Sequence, residues 1–169
     1  KSPSVQRGRD FAVMLASLAD LGYIVEWRIV NAADYGFPQR RRRVFIMGYK
    51  KGSNPYELIK KEKSIRDWIY KTGVIAKAFP IVEESSTLNE FNIEGDLASM
   101  SKKFSSHNPA KSPFENSGVM INRKIYTAKT VPNHKGKHSL LSYIIIHNEK
   151  NIPPEFFVSN KDQKRWEYL

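Results

Sequence analysis

The run Gln39-Arg40-Arg41-Arg42-Arg43 is the feature of the sequence that most clearly suggests a chemistry. Four consecutive guanidiniums repel one another and are costly to bury, but each is a planar fork that suits phosphate oxygens and base edges. In an extended chain, Gln39, Arg41 and Arg43 share one face, and Arg40 and Arg42 share the other. One face then suits a pocket, and the other suits backbone phosphates or an acidic partner. The run alone fits a solvated basic stretch or a localisation signal equally well.

Other segments offer weaker candidates for the same kind of partner. Asn116 and Ser117 lie among turn-forming residues, where they either hydrogen-bond to base edges or belong to a plain turn. Lys135 and Lys137 are candidates for phosphate contacts.

His134 and His138 have a spacing that metal sites use, but the segment lacks the rest of such a site. Pro132 and Gly136 argue against a helix that would align the two rings, and no carboxylate or thiol lies close in sequence. We therefore predict a surface loop and no metal.

The composition narrows the class of protein. The 169 residues carry a net charge of +11, which indicates a polyanionic partner, although a lysine-rich surface on an ordinary protein explains the charge as well. Hydrophobic residues make up 40% of the chain, too many for a disordered one. The absence of cysteine excludes disulfides, zinc–thiolate sites and a cysteine nucleophile within this chain. No apolar run approaches the roughly 20 residues of a membrane span, so we expect no membrane partner.

The elements that must position the arginines follow from periodicity. Residues 9–21 have apolar side chains at helical spacing, and Gly22 is a natural stop. Residues 23–30 and 43–49 are rich in β-branched and aromatic residues and predict two strands around a loop. The first 50 residues thus predict helix, strand, loop and strand.

The remaining chain gives weaker signals, and we place a domain boundary at the break around residues 50–55. Ser64 predicts the cap of a short helix. Asn122-Arg123 predicts the turn of a hairpin within residues 118–131. Further predictions are loops with short elements over 83–118, a buried strand or short helix over 139–147 containing a core Tyr143, and the start of a helix over 161–169.

The segment from Asn31 to Gly48, Asn-Ala-Ala-Asp-Tyr-Gly-Phe-Pro-Gln-Arg-Arg-Arg-Arg-Val-Phe-Ile-Met-Gly, closely resembles the eighth motif of the DNA (cytosine-5)-methyltransferases. Gln39, Arg41 and Arg43 match the fixed positions of that motif. The resemblance implies an enzyme in which a cysteine attacks a cytosine flipped out of the duplex and S-adenosylmethionine donates a methyl group. It implies that Arg43 approaches the carbonyl oxygen of the flipped cytosine, that Arg41 orients the pocket and reaches the DNA backbone, and that Gln39 braces the loop.

The departures from the family pattern indicate a piece of such an enzyme. The Pro-Cys and Glu-Asn-Val motifs and the glycine-rich cofactor motif are absent from the sequence. We therefore expect an α/β fragment. Residues 1–52 would form the edge helix and antiparallel strand pair of a Rossmann-like methyltransferase domain, and residues 53–169 an incomplete, mixed, loop-rich target-recognition segment. Alone it should be inactive and hold no S-adenosylmethionine.

The resemblance further implies double-stranded DNA as partner, DNA methylation in a restriction–modification setting, and a cytoplasmic, nucleoid-associated location. Two alternatives stay open at this point. One is a stand-alone basic DNA-binding module without catalysis, and the other is a fragment of a related methyltransferase acting on transfer RNA.

A strand pair taken from the edge of a larger sheet should leave apolar residues uncovered. We expect Ile24, Val44, Phe45 and Ile46 to need another cover, and we therefore predict self-association or strand exchange between copies. Solution scattering at high concentration should show particles larger than the monomer. A monodisperse monomer would count against the prediction.

Overall fold

The computed structural model describes residues 5–82, 87–104, 112–146, 148–160 and 162–163. Two compact units are present, Lys1–His138 and Ser139–Leu169. Within the described part, no helix is long and apolar enough to cross a membrane.

The first unit is built on a five-stranded antiparallel sheet in the order β2-β1-β4-β5-β3. The strands are β1 (Tyr23–Asn31), β2 (Arg42–Lys50), β3 (Asn89–Asn92), β4 (Ser117–Ile121) and β5 (Lys124–Ala128). The helices are α1 (Arg9–Asp20), α2 (Asn54–Lys61), α3 (Ile65–Asp67), which continues as a π-helical turn over Trp68–Thr72, α4 (Val74–Ala78) and α5 (Leu97–Lys103). The expected mixed α/β class and the antiparallel pairing of β1 with β2 are confirmed.

Local sequence signals explain several of these elements. Gly22 has φ +80°, and its amide donates to the Ala19 carbonyl oxygen at the end of α1. Asn122 and Arg123 both have positive φ in the two-residue turn between β4 and β5, as the predicted hairpin requires. Ser64 caps α3 by accepting a hydrogen bond from the Asp67 amide at 3.1 Å.

One face of the sheet packs against α1 and α5 through aromatic side chains. Phe11 of α1 meets Trp27 edge to face at 5.4 Å between ring centroids, and both contact Phe114 in the same way. Gly118 of β4 lies opposite Trp27, and a Cβ at that position would collide with the indole. The glycine therefore lets the indole lie flat across the strand.

The other face of the sheet packs against α2, α3 and the π-helical turn and carries two buried charged residues. Glu26 and Arg28 stand two residues apart on β1, and each is only 2% exposed. Glu26 accepts hydrogen bonds from the Tyr49 hydroxyl at 2.7 Å and from the Trp68 indole N–H at 3.2 Å. Arg28 donates to the carbonyl oxygens of Ile69 and Phe79, each at 2.5 Å. Both side chains thus bind the sheet to the helical layer.

The expectation that the strand pair leaves its apolar residues uncovered is only partly met. Ile24 is 1% exposed and packs in the core of the helical face, so its prediction was wrong. Val44 is half-buried, whereas Phe45 and Ile46 on β2 are 44% and 37% exposed. The difference arises because β1 lies inside the sheet and β2 lies at its edge.

The prediction of a buried strand or helix over residues 139–147 was also wrong. The second unit has a short 3-10 turn at Leu141–Tyr143 there, and the apolar side chains around it are exposed. Tyr143 is 69% exposed and is not a core residue. Further 3-10 turns lie at Glu149–Asn151 and Pro154–Phe156. Most of the predicted helix start over 161–169 lies outside the described residues.

The predicted boundary near residue 52 does not separate compact units. β1 pairs with β4, so the sheet joins segments from both sides of it, and the units divide between His138 and Ser139. A division at residue 52 is therefore meaningful only as a difference in role between the two parts of the chain.

The buried carboxyl of Glu26 makes the stability of the fold depend on pH. Burial raises the pKa of Glu26, against the opposing effects of its hydrogen bonds and of Arg28. A raised folded-state pKa contributes stability below the ordinary carboxyl range that is lost as the pH rises through the folded value. We expect the free energy of unfolding to fall with rising pH above that range. In Glu26→Gln, which cannot ionise, this part of the slope should disappear. Urea unfolding across acid to neutral pH measures both, and identical slopes would contradict the account.

Candidate nucleic-acid interface

The arginine run follows a turn whose backbone is held by internal hydrogen bonds. Asn31 caps a 3-10 turn over Ala32–Tyr35 by accepting from the Ala33 amide, and Gly36 ends it with φ +87°. The Phe37 amide donates to the Ala32 carbonyl at 3.1 Å, and the Ala32 amide donates to the Arg41 carbonyl at 3.0 Å. The chain therefore leaves β1, turns and enters β2 along a fixed path.

All five residues from Gln39 to Arg43 are exposed on this loop and on the start of β2. Arg41 and Arg43 line one cavity together with Phe45, as the alternation of an extended chain requires. Arg40 and Arg42 do not line that cavity, and neither does Gln39. The predicted separation of two arginine faces thus appears in the structure, although Gln39 does not join the Arg41 and Arg43 side chains at the cavity.

The cavity has a volume of about 240 Å³ and combines aromatic walls with the two guanidiniums. Phe79 packs against Phe45 at 4.9 Å and against Tyr35 at 5.4 Å between ring centroids. The lining residues are Val30, Ala32, Tyr35, Phe37, Arg41, Arg43, Phe45 and Phe79. This set includes no carboxylate, so the site suits a flat apolar ring with acceptor atoms or negative charge at its edge.

The carbonyl oxygen of Pro80 is where three segments of the chain meet behind this cavity. It accepts hydrogen bonds from the Tyr35 hydroxyl at 3.2 Å and from the Asn133 amide at 2.9 Å. The Val82 amide also donates to the Val131 carbonyl at 2.8 Å. The segment after residue 131 is thereby held against the turn that precedes the arginines.

A second basic segment, residues 134–138, packs on that turn. A Cβ on Gly36 would lie 2.7 Å from the Lys137 carbonyl oxygen and 2.7 Å from His134 Nε2. Lys135 and Lys137 are exposed. The structure thus brings the predicted phosphate-contacting lysines to the base of the arginine loop, although almost a hundred residues separate them in sequence.

His134 and His138 form part of the packing of this segment. Their rings lie 5.1 Å apart, edge to face, and His134 also faces the Tyr35 ring at 6.3 Å. In the part of the chain that the structure describes, no group of three or more metal-ligating side chains is present.

Asn116 and Ser117 are not placed to read base edges, which corrects the prediction for this pair. The Asn116 side chain accepts from the Thr130 amide and donates to the Thr130 carbonyl, each at 2.7 Å. Ser117 is fully buried, with its hydroxyl 2.6 Å from that of Thr130. Both side chains hold the strand β4 to the segment that leads towards residue 134.

Arg28 is the residue of this region that the sequence reasoning did not single out. It binds the Phe79 carbonyl from within β1, and burial lowers the pKa of its guanidinium while Tyr35 and Glu26 oppose that effect. The available signal was an arginine and a glutamate alternating within an otherwise apolar strand. Buried charges of this kind are rare unless they are paired.

Comparison with known proteins identifies what the chain resembles as a whole. Residues 4–165 match the family described as C-5 cytosine-specific DNA methylase. The chain is 44% identical over 171 aligned positions to the type II methyltransferase M.Sau3AI of Staphylococcus aureus, covering all of this chain and 39% of that protein. It is 38% identical over 89 positions to M.MthTI of Methanothermobacter thermautotrophicus, covering 50% of this chain and 26% of that protein. The chain therefore spans about two fifths of the first relative's length. No solved structure matches the chain.

The contact at Gly36 can be separated from its backbone conformation by a matched pair of substitutions. Gly36 and Gly52 both have φ +87°, but only Gly36 has neighbours around its would-be Cβ. Gly36→Ala should therefore lower the free energy of unfolding by about 1–3 kcal/mol more than Gly52→Ala, because it forces residues 134–137 off the turn. Urea unfolding measures the difference, and equal losses would show that this packing contributes nothing.

Proposed function

The chain belongs to the C-5 cytosine-specific DNA methylase family, and from that premise we propose that it supplies DNA and target-base contacts to a bacterial-type DNA (cytosine-5)-methyltransferase. The observation that carries the proposal is the meeting of two exposed basic segments, residues 40–43 and 134–138, beside one cavity. Neither segment alone distinguishes a binding surface from a solvated face. Together they place positive charge around a site shaped for a ring.

The division of roles between the two arginine faces follows the geometry. Arg43 and Arg41 line the cavity, which supports Arg43 as the contact to the carbonyl oxygen of a flipped cytosine and Arg41 as the residue that orients the pocket. Gln39 braces the loop beside them. Arg40 and Arg42 on the other face, together with Lys135 and Lys137, contact backbone phosphates.

The reaction itself needs groups that this chain lacks. A thiolate must attack the sixth ring carbon so that the fifth becomes nucleophilic, and this sequence has no cysteine. This chain's part is to hold the extruded base by its carbonyl edge and to bind the duplex from which the base has left. Alone, the chain should not methylate DNA.

The methyl donor implied by the family, S-adenosylmethionine, does not fit the cavity described above. Its sulfonium is a cation, and the cavity presents two guanidiniums without a carboxylate. We therefore assign cofactor binding to other parts of the parent enzyme, and no role of the residues named here depends on it.

Three further parts of the proposal concern the parent and its setting. Residues 1–52 belong to the edge of a Rossmann-like catalytic domain, and residues 53–169 contribute to target recognition. The exposed apolar side chains of β2, at the edge of the sheet, support self-association of the isolated chain. The parent acts on double-stranded DNA in the cytoplasm, associated with the nucleoid.

Phosphate contacts predict a measurable dependence of binding on salt. Each lost phosphate contact should reduce the slope of log Kd against log salt by about 0.9, because one fewer counterion set is released. We expect this change for Arg42→Gln and for Lys137→Gln in fluorescence-anisotropy titrations with duplex DNA. Lys102→Gln removes the same charge from exposed α5 and should leave the slope unchanged. A uniform change in all three variants would reduce the interface to a net-charge effect.

A further inference from the structure

Phe37 is a large apolar side chain placed where a soluble protein rarely exposes one. It is 64% exposed, and it lies between the 3-10 turn and the arginine run. Its backbone is held by the amide bond to the Ala32 carbonyl and followed by Pro38. The ring is therefore presented by a fixed loop and loses little conformational freedom if something covers it.

The surroundings of Phe37 specify the chemistry of what would cover it. The ring stands at the cavity that Tyr35 and Phe79 also line, and Arg41 and Arg43 supply the only charges among the lining residues. An apolar peptide would leave both guanidiniums without acceptors, which is costly once water is excluded. A flat ring with acceptor atoms at its edge, attached to a phosphate, satisfies the aromatic wall and the cations together.

The size of the cavity points to a single ring system. Its volume of about 240 Å³ lies below the roughly 300–1,000 Å³ of pockets that take drug-sized ligands. Bases paired inside a duplex present only their edges, so a base that stacks on Phe37 must have left the helical stack.

We propose that Phe37 is a stacking residue for a nucleobase that has left the duplex, with its ring covering one face of the base while Arg41 and Arg43 approach the base edge. The inference rests on the proposed function, because it takes DNA as the partner of this surface. It adds a preference that phosphate contacts cannot give, namely for DNA in which a base is unpaired.

The test compares a short, fully paired duplex with the same duplex carrying one bulged base, using the 169-residue chain. The unaltered chain should bind the bulged duplex more tightly. Phe37→Ala should weaken binding to the bulged duplex by roughly tenfold or more, with little effect on the paired duplex, because stacking on an aromatic ring contributes about 1–3 kcal/mol per base. Phe37→Trp should retain the preference, and Phe37→Leu should lose most of it.

A matched control is Leu58→Ala, which truncates a side chain of similar exposure, 60%, on α2. Phe37→Ala should also leave the salt dependence unchanged, since no phosphate contact is lost. Equal binding of both duplexes by the unaltered chain, or unchanged preference in Phe37→Ala, overturns the inference but leaves the DNA-binding proposal in place. Failure of the folded chain, verified by circular dichroism, to bind either duplex would overturn both.

Discussion

The interface depends on how one buried arginine holds two layers of the protein together. Arg28 lies in the middle of the sheet, and its two terminal nitrogens donate to the carbonyl oxygens of Ile69 and Phe79 in the helical layer. Phe79 forms a wall of the cavity, and the next residue, Pro80, accepts hydrogen bonds from both the arginine turn and the segment that leads to the lysines. The position of both basic segments therefore follows from where Arg28 fixes residues 79 and 80.

A buried guanidinium is an expensive way to join two layers. Desolvation of the charge costs several kcal/mol, and it is recovered only when the donors are satisfied. Two leucine residues would join the layers at lower cost, but they would not fix the direction of a carbonyl. Hydrogen bonds do fix it, and a cavity that must align two further arginines with a ligand needs such alignment. Glu26 on the same face of β1 acts on the preceding part of the helical layer through Tyr49 and Trp68.

Local patterns in the sequence were sufficient for the elements, and they were insufficient for the meeting of distant segments. Helix α1, strands β1 and β2, the Ser64 cap and the Asn122-Arg123 turn each depend on residues close together in the chain, and all are confirmed. The contact of Gly36 with residues 134–137 depends on tertiary packing, which no periodicity encodes. Asn116 and Ser117 show the same limit: their residue types suit base edges, but Thr130 occupies their hydrogen-bonding groups. Residues 139–147 are apolar but exposed because apolar composition does not specify what will cover it.

The central claim is that the arginine loop and the lysine segment form one surface for nucleic acid. Hydrogen exchange measured by mass spectrometry on the 169-residue chain, with and without duplex DNA, tests it most directly. The account predicts that DNA slows exchange in residues 36–43 and in residues 133–138 together, with the same dependence on DNA concentration. Protection confined to one of the two segments, or found only in other parts of the chain, would contradict it.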